Sequence, residues 1–100
     1  MTTKELKIVN GPSATALISA FKYAYGVDKV EIDFTLSDDR GKAKHVFRAC
    51  INGIRHESGD ADSFIVYANL RDIKKPNVSG KSVEMYYNSH SRKGHVIKSS

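Results

Sequence analysis

Four histidines, a single cysteine and scattered lysines and arginines are the side chains of this chain best suited to chemistry. His90 and His95 stand either side of Arg92 and Lys93. Imidazole titrates near neutral pH, and two imidazoles beside cations can cleave RNA by general acid–base transfer. A solvated polar turn has the same composition, and nothing in the spacing selects catalysis. A small histidine-dependent nuclease therefore stands as a minor reading. His56, Glu57, Asp60 and Asp62 offer nitrogen and oxygen ligands for a hard divalent cation. Their spacing matches no calcium loop. Asp and Gly are also what a turn requires, so no metal site is expected. Cys50 lies between Ala49 and Ile51, the setting of an inert buried thiol rather than a nucleophile. The sequence has no glycine-rich phosphate loop and no serine-centred elbow. It implies no cofactor, suggests no enzyme, and carries no motif of a known family.

Charge gives the stronger signal. The chain has 16 Lys and Arg against 11 Asp and Glu, a formal net charge of +5. Through Leu70, nine basic residues meet nine acidic ones; after it, seven basic residues meet two. The expected contact set is Lys74, Lys75, Lys81, Tyr86, Arg92, Lys93 and Lys98. Arg48 and Arg55 extend it if their strands present the same face. Cations fix phosphates, and aromatic rings stack on bases. The sequence thus points to a small non-enzymatic binding or regulatory protein of inhibitory character. Its expected target is nucleic acid or a nucleic-acid-handling protein complex. Small basic proteins with which phages and mobile elements block host machinery share this format. The alternative is a pure protein–protein inhibitor that uses charge for steering. Such a protein would offer an exposed sheet edge to a partner strand.

These side chains need a scaffold. With 100 residues, 40% of them hydrophobic, the chain fits one domain over residues 1–100. One cysteine excludes a disulfide framework and a cysteine-based zinc site. No apolar run approaches the roughly 18 residues of a spanning helix. Met1-Thr2-Thr3-Lys4-Glu5 lacks an apolar signal region. A cytoplasmic location, with no membrane partner, is the resulting expectation.

Residues 4–9 read as a first strand. Asn10-Gly11-Pro12-Ser13 breaks it, with Gly11 or Ser13 as the helix N-cap. Ala14, Leu17, Ile18, Phe21, Ala24 and Tyr25 then recur at the 3.6-residue period of an amphipathic helix, which Gly26 stops. Val30, Ile32, Phe34 and Leu36 alternate with polar residues as a strand. Asp38-Asp39-Arg40-Gly41 turns the chain, and residues 44–51 form the next strand. Asn52-Gly53 signals a type I′ hairpin leading to a short strand at 54–57, or else a long loop to Asp62. Residues 63–70 are apolar on both faces, as in a central strand. Lys74-Lys75-Pro76-Asn77 is a loop, residues 82–88 a strand, 89–94 a turn, and 95–98 a last strand. The expected fold is α+β. A single amphipathic helix packs on one face of a mostly antiparallel five- to six-stranded sheet, in the order β-α-β-β-(β)-β-β-β. The first strand is free to lie parallel to the strand after the helix, through a right-handed crossover.

Overall fold

The computed structural model describes residues 6–24, 31–37, 44–57, 59–74, 77 and 80–99. The elements are β1 (Lys7–Asn10), α1 (Ala14–Ala24), β2 (Glu31–Ser37), β3 (Lys44–His56), β4 (Ser63–Asp72), β5 (Lys81–Asn88) and β6 (Lys93–Ser99). The expected turn at Asp38-Asp39-Arg40-Gly41 and the helix stop at Gly26 fall outside the described residues.

The sheet is not open. Every strand pairs antiparallel with its sequence neighbour, and β6 returns to pair with β1, closing a six-stranded barrel. This overturns the expected helix lying on one face of an open sheet. Each strand has two hydrogen-bonded neighbours, so an edge for strand addition is confined to stretches beyond a neighbour's register, such as residues 51–56 of β3 on the β2 side. No strand of such a ring is central. Ile65 is buried although it faces outward, between its register neighbours Arg55 and Tyr86.

The inside of the ring is the core. Ile8, Phe34, Leu36, Ala49, Ile51, Phe64, Val66, Ala68, Met85 and Tyr87 are buried there. Phe34 meets Tyr87 edge-on, with ring centroids 5.3 Å apart. The outer wall carries Glu31, Asp33, Arg48, Asn69 and Arg71. No helix among the described residues is long and apolar enough to cross a membrane.

The helix begins at Ser13. Its Oγ accepts the Ala16 N–H at 3.1 Å, and its carbonyl accepts the Leu17 N–H. This makes Ser13, not Gly11, the N-cap. Leu17 and Ala20 enter the core, and Ala14, Ile18 and Phe21 pack against it. The helix rests mainly on β3. That strand outruns its partner: β2 pairs with residues 44–50, while β4 pairs as far as His56. The apolar stripe therefore covers core that β2 leaves open.

Two further expectations change. First, β1 and β2 are antiparallel. The chain leaves β1 and returns to β2 at the same barrel end. An 11-residue helix, about 16 Å long, need not cross the barrel to make that return. Second, Asn52-Gly53 forms neither a hairpin nor a loop. It is a bulge inside β3: Ile51 pairs with Ala68 and Gly53 with Tyr67, leaving Asn52 unmatched. A type I′ turn needs positive φ at both central residues. Gly53 is not among the residues with positive φ.

Candidate functional site

In an antiparallel meander, successive connections alternate between the two ends. The 57–62 turn, the 89–92 turn and the start of α1 gather at one end, here the upper. The segment between β4 and β5 lies at the lower. The single contact set expected from the sequence is thereby divided. Lys74 and Lys81 sit low, and Lys93 sits high. β5 has eight residues, so about 24 Å separates its ends. Lys98 lies on the wall opposite Glu84. Lys75 falls outside the described residues.

The upper end is tied together by polar side chains. Ser63, 1% exposed, is the hub. Its Oγ donates to Asp60 Oδ2 at 2.7 Å, accepts from Asn88 Nδ2 at 3.0 Å and lies 2.8 Å from the Tyr86 hydroxyl. Asp60 Oδ1 accepts the Asp62 N–H. These two hydrogen bonds, with His90 adding to them, hold the Asp60 carboxyl below its ordinary range. The Asp62 carbonyl accepts both the N–H and the hydroxyl of Ser89, joining the two turns.

The 89–92 turn is equally built. Asn88 Oδ1 accepts the N–H groups of His90 and Ser91. Arg92 adopts φ 62°, in the left-handed region. Its Nη1 donates to the Gly11 carbonyl at 2.9 Å. Arg92, expected as a contact, is therefore engaged in strapping the turn to the segment leading into α1. Beside it, Tyr87 donates to the Pro12 carbonyl at 2.6 Å. Burial pushes the Tyr87 phenol up to about 12.

On the outer wall where β5, β6 and β1 meet, a groove of about 670 Å³ opens. Lys7, Tyr86, Asn88, His90, Lys93 and His95 line it. No carboxylate belongs to its described lining. Tyr86 and His95 are register partners, and their rings stack with centroids 5.5 Å apart and planes at 30°. Lys7 is the partner of His95 on the other side. Of the expected contacts, the structure brings together Tyr86 and Lys93. It adds Lys7, His90 and His95. Lys7 is the residue that sequence reasoning missed altogether. Only barrel closure carries it to β6 from the other end of the chain.

The remaining candidates lie elsewhere. On the wall of β2, β3 and β4, Asp33 meets Arg48 at 3.3 Å and Glu31 meets Arg71 at 3.2 Å, with Arg48 3.9 Å from Glu31. Arg48 and Arg71 are thus answered by acids rather than extending a basic patch. Arg55 lies on β3 opposite Ile65, in the same cross-strand row as Tyr86 but outside the described lining of the groove. Cys50 is half-buried rather than buried. Ala49 and Ile51 face inward, so strand alternation turns Cys50 outward, beside Arg48 and Arg71. His45 lies 3.8 Å from Asp72. The His56 ring packs on Phe64 at 4.7 Å. No group of three His, Cys, Asp or Glu among the described residues is placed to hold a metal.

No family model, curated protein or solved structure matches the chain.

Proposed function

We propose that this is a small non-enzymatic binding protein, regulatory or inhibitory in character, whose partner is nucleic acid, free or exposed in a nucleoprotein complex. The contact surface is the groove of β5, β6 and β1. One observation carries this reading. The groove gathers two lysines, two histidines and a tyrosine with no carboxylate in its described lining. By contrast, the arginines of the β2–β4 wall are paired with acids. Lys7 and Lys93, which have no ion-pair partner among the described residues, suit a phosphate backbone beside an aromatic ring. None of the ion pairs between described residues involves Lys74, Lys81 or Lys98. These distant cations serve steering rather than contact.

The test is a titration of labelled RNA and DNA strands across salt concentration. The two lysines predict a log–log slope of about −1.4 for a single strand. Affinity independent of salt would reject the reading. Failure of both strands to bind at any salt concentration would make a protein partner steered by charge the better account.

A further inference from the structure

We infer that the Tyr86–His95 ring pair is a seat for an unpaired nucleobase, so that the ligand of the groove is a single strand rather than a duplex. This rests on the nucleic-acid reading above and names the ligand class of the same site.

The ring pair is held in place before any ligand arrives. Tyr86 is tied at its hydroxyl to Ser63, which is buried and bonded in turn to Asp60 and Asn88. The ring therefore cannot swing about the strand freely. His95 lies against it at 30°, and its side chain is exposed. Gly94, just before His95, brings the two strands close. A Cβ there would collide with the Tyr86 carbonyl. The stack is thus built into the β5–β6 pairing rather than being a chance surface contact.

Cations bracket the rings on two sides. Lys7 lies one strand away from His95, about 5 Å in backbone spacing. Lys93 precedes His95 by two residues on the same outer face, about 7 Å along β6. A flat ring surface between two cations offers one base a face and its flanking phosphates their counter-charges. Bases inside a duplex are already stacked on both faces, so a duplex engages the cations alone. An acidic peptide likewise uses the cations and leaves the rings idle.

The experiment compares three probes by fluorescence anisotropy. They are a labelled single strand of about twelve nucleotides, the same backbone with abasic sites throughout, and the corresponding duplex. A 2-aminopurine base in the single strand reports stacking directly by quenching. The natural strand should bind about tenfold or more tightly than the abasic one. His95→Ala should abolish that preference and the quenching, and His95→Phe should restore both. Equal binding of natural and abasic strands, or a preference unchanged in His95→Ala, overturns the base seat and leaves phosphate binding standing. If none of the three probes binds, the nucleic-acid reading falls and this inference falls with it.

Discussion

Two side chains at the upper end show how burial and hydrogen bonding convert into pH dependence. Asp60 holds its carboxylate through the Asp62 N–H and the Ser63 hydroxyl, so its proton is bound less tightly when folded. A depressed folded value stabilises the protein above the ordinary carboxylate range, near pH 4. That contribution is lost as pH falls through the folded value. Denaturation curves recorded on the acid side should fall less steeply for Asp60→Asn than for the wild type. Tyr87 works in the opposite direction. Burial raises it to about 12, so the folded state holds the phenolic proton more tightly. Its contribution is complete below about pH 10 and is lost as pH rises toward 12. Tyr87→Phe should lack that alkaline slope in urea titrations. A Phe variant that loses stability above pH 10 as steeply as the wild type would refute the assignment.

At the scale of elements, local patterns were legible in the sequence where one face is dry. The α1 stripe of Ala14, Leu17, Ile18 and Phe21 packs as its period dictates, and Phe34 and Leu36 point inward as alternation requires. Asn52-Gly53 misleads because the same dipeptide suits a tight turn and a bulge, and the pairing partner decides between them. Here β4 is long enough to pair past the bulge as far as His56. Two glycine substitutions separate these cases. Gly53 needs no positive φ, and an added Cβ would sit in ordinary contact with the Tyr67 ring. Gly53→Ala should therefore cost less than about 1 kcal/mol. Gly94→Ala drives a methyl into the Tyr86 carbonyl and should cost about 3 kcal/mol or more. Equal losses in a urea titration would contradict the bulge and the tight β5–β6 contact together.

At the scale of the molecule, closure is the feature no local pattern encodes. The pairing of β1 with β6 joins residues near the two ends of the chain, and only that pairing places Lys7 beside His95. The charge asymmetry along the chain misled for a related reason. Residues close in sequence on either side of β5 lie at opposite ends of the barrel. That separation already followed from the antiparallel strand order, which the clustering of lysines in the sequence obscured. The two ends are about 24 Å apart, three times the screening length of about 8 Å at physiological salt. They therefore act as independent surfaces. The most direct test is one titration of a labelled single strand at physiological salt against three proteins. These are the wild type, the double variant Lys7→Glu with Lys93→Glu, and the double variant Lys74→Glu with Lys81→Glu. The upper-end variant should lose affinity by about a hundredfold, while the lower-end variant stays within about threefold of the wild type. Retained binding by the upper-end variant, or its loss in the lower-end variant alone, would contradict the placement of the site.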